Sequence, residues 1–353
     1  PTCLGKVIDS PQRKGFVSMN PSAHSPSILA LSGGIGGAKL ALGLTHAMPP
    51  EKLMIIGNIG DDFVHLGLNI SPDLDTLMYT LSGKSDSDKG WGLANESWTV
   101  MQALEKMGGE TWFKLGDMDL ATHLERTHRL RAGVSLTEIT SYFCQQFGIE
   151  ARIIPVSNDR VHTIVETPDG DMTFQDYFVR ERCKPTVSGL SFQGADKALP
   201  NPELIETLQN QSLQAVVICP SNPFLSIDPI LAVRGVREEL RACSAPVIAV
   251  SPIVGGNAVK GPTKKNLREL GHPVSATAIA NYYRDFIDGF VVDIQDEATA
   301  PEIQKLDIAV KVSNTMMTDL TTKIELAQTV LNFSSCCGKC TKRFKEKDSP
   351  CGP

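Results

Sequence analysis

The chain has 353 residues, 41% of them hydrophobic and 21% charged, enough for one large or two medium domains with a real core. A formal net charge of -6 and a pI of about 5.7 exclude a broad basic surface for duplex nucleic acid, so an anionic ligand must rely on backbone amides, a metal or a few local cations. No apolar run approaches the roughly 18 residues that span a bilayer, and the first 26 residues lack the apolar core of a secretion signal; no membrane partner and a cytoplasmic location are expected.

Residues 1–26 mix Pro, Ser, Lys and Arg and read as an N-terminal extension, with Met19 a candidate start. The first element is Ser27-Ile-Leu-Ala-Leu31, a short apolar run of the kind found in buried parallel strands. It runs into Ser32-Gly-Gly-Ile-Gly-Gly37, and helical periodicity follows from Ala38. Leu53-Met-Ile-Ile56 is the next strand, ending at Gly57-Asn-Ile-Gly-Asp-Asp62. Strand, glycine turn, helix and strand in this order open a doubly wound, mainly parallel, Rossmann-like α/β sheet.

A helix is expected to start near Pro72, with further helices over Leu136–Phe147 and residues 229–243. Later strands are Ala151-Arg-Ile-Ile154, Ala215-Val-Val-Ile-Cys219, Pro246-Val-Ile-Ala-Val250 and Phe290-Val-Val-Asp293. Turn chemistry at Pro168-Asp-Gly-Asp171 between two alternating runs predicts a β-hairpin, part of a small β-rich and helical insertion over about 155–200. One domain is therefore expected over residues 27–333. Residues 334–353 carry Cys336, Cys337, Cys340 and Cys351 among lysines and read as a disordered tail, since the adjacent pair suits a tetrahedral thiolate site badly. Cys3, Cys144, Cys183, Cys219 and Cys243 are scattered singly, as buried thiols in a reducing compartment are.

Three blocks carry the chemistry. Gly33, Gly34, Gly36 and Gly37 form a phosphate-binding turn ahead of a helix N-terminus. Lys39 stands where the dinucleotide fingerprint needs its third glycine, and Met78 stands where a P-loop ending at Lys84-Ser85 would need glycine. Loops after later strands, Pro220-Ser-Asn-Pro223 and Ser251-Pro-Ile-Val-Gly-Gly256, are expected to meet this turn in one crevice, which makes Ser221, Asn222, Gly255 and Gly256 candidate substrate contacts.

The second block holds Asp61, Asp62, Asp73 and Asp75, four carboxylates within fifteen residues beside the phosphate turn. Hard oxygen ligands beside phosphates suit magnesium, with one member of each pair expected to cap a turn or helix instead. In the third block, Lys114 precedes a helix carrying Thr122, His123 and Arg126. It is a candidate anion or hydroxyl contact, with a solvated lysine the alternative.

Together the blocks resemble the 2-phospholactate transferase family of deazaflavin coenzyme F(420) biosynthesis. The pieces are Leu31-Ser-Gly-Gly-Ile-Gly-Gly-Ala-Lys39, Asn58-Ile-Gly-Asp-Asp62, Ser71-Pro-Asp-Leu-Asp-Thr76, Gly90-Trp-Gly92 with Asn95-Glu96, and Lys114-Leu-Gly-Asp117 with Asp119-Leu-Ala-Thr-His123. Phe174-Gln-Asp-Tyr-Phe178 and the two later loops complete the set. The resemblance runs from about residue 27 to 293. It implies transfer of a phosphorylated small acid from a guanosine diphosphate conjugate, a GTP-derived donor, to the ribityl hydroxyl of a deazaflavin precursor, with release of GMP and a requirement for magnesium. It further implies Asp61 and Asp75 as catalytic and metal carboxylates, Asp75 and Lys114 as deazaflavin contacts and the glycine turn as a nucleotide cradle. A homodimer is compatible with it.

Two other classes compete. A non-catalytic nucleotide-sugar regulator of the same superfamily would share the glycine turn, but it resembles Asp-Asp-Gly-Gly-Ser-Ser where this chain reads Asp61-Asp62-Phe63-Val64. A Rossmann dehydrogenase is the more distant rival.

Overall fold

The structure, a computed structural model, describes residues 25–86, 89–259 and 261–337. Most of the N-terminal extension and most of the cysteine-rich tail lie outside the described residues.

In chain order the strands are β1 (Ile28–Ser32), β2 (Leu53–Gly57), the hairpin β3 (Phe63–His65) and β4 (Leu68–Ile70), and β5 (Arg152–Pro155). A small antiparallel sheet follows from β6 (His162–Glu166), β7 (Met172–Thr173) and β8 (Gly189–Gln193). Then come β9 (Ala215–Ile218), β10 (Val247–Val250), the short pair β11 (Ile253–Val254) and β12 (Asn257–Ala258), β13 (Gly289–Asp293) and β14 (Ala309–Ser313). The helices around the site are α1 (Gly34–Ala47), α2 (Pro72–Leu81), α3 (Thr99–Lys106), α4 (Asp117–Arg131) and α5 (Leu136–Phe147).

Seven strands form one parallel sheet in the order β14-β13-β10-β9-β1-β2-β5, so the expected doubly wound α/β architecture is present. Every residue of β1, β2, β9, β10 and β13 is buried, because helices cover both faces of a parallel sheet. Each fully buried Leu or Ile contributes about 1.5–3 kcal/mol relative to exposure.

From β1 the chain winds outward to β2 and β5, then crosses back to β9 and winds the other way. The gap between β1 and β9 is the topological switch point. Leu31 is level with both Ile56 and Ile218, so the chain leaves β1, β2 and β9 along one edge.

Some elements depart from expectation. The single helix over 229–243 is two, Asp228–Leu231 and Val236–Ala242, separated at Gly235, whose φ of 84° only glycine adopts readily. The inserted hairpin gains a third strand, β8. Edge strand β14 and helix Leu320–Cys336 were not foreseen; that helix packs so closely on α1 that a Cβ on Gly43 would meet the Lys323 carbonyl oxygen at 2.2 Å. The helix carries the ordered chain to Cys336, past the expected start of the tail. Among the described residues no helix is long and apolar enough to cross a membrane.

Candidate active site

Gly33 ends the first strand segment and caps α1. Gly34 has φ 64°, the left-handed region, so the positive-φ requirement falls there and not on Gly36. Gly36 and Gly37 are glycines for a different reason. A Cβ on Gly36 would lie 2.2 Å from the Pro220 carbonyl oxygen, and one on Gly37 2.4 Å from Ser32 Oγ and 2.8 Å from Ser221 Oγ. These two let α1 press against the loop after β9. Ser221 Oγ then donates to the Gly33 carbonyl at 2.8 Å, locking the two loops across the switch point.

The acidic block folds onto this turn. Asp73, one of the pair of which a member was expected to cap its helix, lies in the first turn of α2 and reaches across to α1. Its Oδ1 accepts from the Gly34 N–H at 2.7 Å and its Oδ2 from Asn58 Nδ2 at 2.9 Å. Asn58 Nδ2 also lies 3.4 Å from Asp61 Oδ1, and its own Oδ1 accepts from the Gly60 N–H. Asp62 Oδ2 accepts from Ser71 Oγ at 2.7 Å, whereas Asp62 Oδ1 is buried without a partner.

The inserted sheet grips the same loop from outside. Gln175 Nε2 donates to the Asp61 carbonyl at 3.1 Å, a ring nitrogen of His162 meets the Asp62 carbonyl at 3.2 Å, and the Thr163 N–H donates to the Gly60 carbonyl at 2.7 Å.

Electrostatics mark this cluster. Burial, then the neighbouring Asp73 and Asp62, push the Asp61 carboxyl well above the usual carboxylate range. Burial raises Asp62 in the same way. Asp73 is pushed up to about 6 by burial, with the Asn58 and Gly34 hydrogen bonds pulling it partly back.

Asp75 stands apart. The resemblance implied a metal and catalytic carboxylate there, and Arg126 of α4 holds it on both oxygens, with Nη1 at 3.1 Å from Oδ2 and Nη2 on Oδ1. The guanidinium is 1% exposed. Nη1 also lies 3.1 Å from His123 Nδ1; His123 Nε2 is 3.2 Å from Asp119 Oδ2, and Tyr79 donates its hydroxyl to Asp119 Oδ1 at 2.6 Å. Burial raises the Asp119 carboxyl, but His123, Tyr79 and Arg126 together overcome this and hold it below its ordinary value.

The motif Asn95-Glu96 also finds a place. Glu96 accepts from the Met118 and Asp119 N–H groups at the start of α4, while Asp117 accepts from the Thr99 and Val100 N–H groups at the start of α3. Each helix is thus capped by a carboxylate from outside it.

Among the other expected contacts, Lys114 is exposed on the loop before α4, which leaves its ammonium free to meet a ligand. Asn222 uses Oδ1 to cap the turn Pro223–Ile227 and Nδ2 to hold Asn266. The Gly255 and Gly256 N–H groups donate to the two oxygens of Asp296, at 2.8 and 3.0 Å. In both glycine-rich loops an aspartate already takes amides that the sequence offered to phosphate.

Arg126, Asn58 and Gln175 were missing from the expected site. One signal pointed to the first: Asp119, His123 and Arg126 are spaced i, i+4 and i+7, which places three polar side chains on one helix face.

A doubly wound sheet with buried carboxylates beside its switch point has the architecture of an α/β protein of the class that binds ligands at the carboxyl edge of the strands. The model of the family described as 2-phospho-L-lactate transferase CofD matches residues 28–330, and the chain belongs to that transferase family. A phosphoenolpyruvate transferase of Kitasatospora aureofaciens is 41% identical over 311 residues, covering 86% of this chain and 96% of that protein. A 2-phospho-L-lactate transferase of Methanosarcina mazei is 38% identical over 304 residues, covering 86% of this chain and 99% of that one. A crystal structure of a UPF0052-family protein from Bacillus halodurans superposes with a TM-score of 0.58 at 13% identity, over 87% of this chain and 99% of that chain, which speaks for the fold alone.

Proposed function

We propose that the protein transfers a 2-phospholactyl or phosphoenolpyruvyl group from its guanosine diphosphate conjugate to the terminal ribityl hydroxyl of 7,8-didemethyl-8-hydroxy-5-deazariboflavin, in coenzyme F(420) biosynthesis. The hydroxyl oxygen bonds to the distal phosphorus, the phosphoanhydride bond breaks, and GMP leaves with that electron pair. The observation that carries this reading is the buried aspartate cluster joined to the glycine turn through Asp73 and Gly34. The relatives carry both donor names, so both donors stand in the proposal.

The residues have separable roles. Asp75, held by Arg126, accepts the hydrogen of the acceptor hydroxyl and orients it, while Lys114 meets the deazaflavin from its exposed loop. Asp73, pushed up to about 6 by burial, is the carboxylate suited to take up the hydroxyl proton. Gly33, Gly34, Gly36 and Gly37 bring α1 to the donor phosphates, with Asp73 yielding the Gly34 N–H as a phosphate arrives.

The residues also fit magnesium. All the donors are oxygens, no cation contacts the Asp61 carboxylate among the described residues, and Asp62 Oδ1 is buried without a partner. No group of three or more His, Cys, Asp or Glu is arranged among the described residues to hold a metal. That suits an ion which takes one or two carboxylates and completes its shell with water and substrate phosphates. Asp61, with Asp62 beside it, would hold it; Asp75 is committed to Arg126. Bound there, the ion would offset charge on the bridging phosphates.

Mass spectrometry of products tests the reading, with purified protein, deazaflavin precursor, magnesium and each guanosine diphospho-acid in turn. A new species joining the deazaflavin to the phospho-acid, with equimolar GMP, is expected. Guanine nucleotide binding without any product would overturn it in favour of a regulator.

A further inference from the structure

Arg126 is the largest fully buried side chain among the described residues; it grips Asp75, and its charge is felt by Asp62 and Asp119. Its surroundings form a closed circuit between two helices. Asp75 and Tyr79 of α2 are one turn apart; Asp119, His123 and Arg126 lie along one face of α4. Arg126 grips Asp75, His123 bridges Arg126 to Asp119, and Tyr79 returns the chain of contacts from Asp119 to α2.

Arginine can only donate, so His123 Nδ1 accepts from Arg126, and Nε2 lies 3.2 Å from Asp119 Oδ2. The Asn69 carbonyl at 3.4 Å and the Phe143 ring, 5.7 Å from the guanidinium carbon, close the remaining sides.

Folding stability does not account for this arrangement, since a buried ion pair is often matched or bettered by apolar side chains of the same volume. What the circuit does achieve is orientation. Each Asp75 oxygen gives one lone pair to Arg126 and keeps another. The carboxylate is thereby held in one rotamer, with acceptor capacity to spare.

We propose that Arg126 is a positioning residue for the transfer: acting through Asp75, it presents that carboxylate to the acceptor hydroxyl in a single orientation, with His123, Asp119 and Tyr79 bracing the guanidinium from behind. The inference rests on the proposed function, which assigns Asp75 to the acceptor. It also separates the two halves of the chemistry, because Arg126 serves the acceptor and leaves the donor to the glycine turn.

The test compares the parent with Arg126→Met, Arg126→Lys, Asp75→Asn and the double variant Asp75→Asn/Arg126→Met. The readouts are melting temperature, kcat, KM for donor and for acceptor, and GDP affinity by calorimetry. Arg126→Met should lower kcat and raise acceptor KM by about tenfold or more each, the scale of losing a positioned group, while donor KM and GDP affinity stay within about twofold. Arg126→Lys should recover part of the loss, because a single ammonium holds one oxygen where the guanidinium fork holds two. In the Asp75→Asn background, Arg126→Met should add less than about threefold, since both changes remove one interaction.

Parent-like turnover in Arg126→Met, equal loss of donor and acceptor affinity, or multiplying losses in the double variant would each overturn the inference and leave the proposed function standing. Should Arg126→Met fail to fold, Arg126→Lys carries the same donor-against-acceptor split. A parent that neither transfers the group nor binds the deazaflavin overturns the proposed function, and this assignment with it.

Discussion

Asp73 of α2 accepts the N–H of Gly34 at the start of α1, at 2.7 Å, so one helix is capped by a carboxylate from the first turn of another. The same carboxylate accepts from Asn58 on its other oxygen. An amide cannot serve both donors in that arrangement, because one of its two heads is itself a donor. Asp73→Asn is therefore not the silent exchange that a simple helix cap would allow. Turnover should fall by about tenfold or more through the displaced glycine turn, with the protein folded. Steady-state kinetics at saturating magnesium decide it, and parent-like kcat/KM would return Asp73 to a capping role.

The glycines of the turn should fail in different ways. Gly36→Ala forces a Cβ against the Pro220 carbonyl oxygen, at 2.2 Å, and should cost about 1–3 kcal/mol in denaturant unfolding. Gly36→Val should not yield a folded protein, so it cannot report on nucleotide affinity alone. Gly34→Ala meets nothing closer than 3.6 Å, and its cost is the backbone strain of φ 64°, about 1–2 kcal/mol. A Gly36→Ala protein as stable as the parent would show that the loop after β9 yields more easily than this packing implies.

Asp61 supplies a test of the metal. Magnesium at a hundred times its dissociation constant should stabilise the parent by about 2.7 kcal/mol, seen as a rise in melting temperature. Asp61→Asn should abolish the rise. Without magnesium that variant should be at least as stable as the parent, because it removes a buried carboxyl crowded by Asp73 and Asp62. An equal magnesium shift in both proteins would place the ion elsewhere.

Asp228 gives a pH dependence away from the site. Burial pushes its carboxyl up to about 7, opposed in part by the Tyr282 hydroxyl that donates to it and by Arg237. An acid whose folded value lies above its ordinary 3.8 stabilises the fold fully below that value and loses its contribution as pH rises through about 7. Asn keeps an acceptor for Tyr282 and does not ionise. The melting temperature of Asp228→Asn minus that of the parent should climb between pH 4 and 7 and level off above. A difference that stays flat across this range would mean that Asp228 is ionised throughout.

The strands show where sequence reading succeeded. β1, β2, β9, β10 and β13 are buried on both faces, so their apolar runs are continuous and visible without a partner. β14 alternates exposed and half-buried residues around Lys311 at the sheet edge, where packing no longer demands an unbroken apolar run. Helix Leu320–Cys336 escaped for a related reason. It is buried mainly where it meets α1, and Gly43, the residue that permits that approach, lies nearly 280 residues earlier in the chain.

For the site, the sequence by itself determined the parts: a glycine turn after a buried strand, four aspartates between β2 and the first turn of α2, and a run of chemistry ordered as in one transferase family. These are local, since turn geometry, strand burial and helix starts follow from neighbours along the chain. Only the tertiary structure decided what each carboxylate does. Asp61, Asp62, Asp73 and Asp75 look alike in sequence, but Asp73 is claimed by Gly34, Asp75 by Arg126 fifty-one residues away, and Asp61 by no cation among the described residues. The proton affinity and freedom of a buried carboxylate depend on its partners and on loss of solvent, and both arise only when distant segments are packed together.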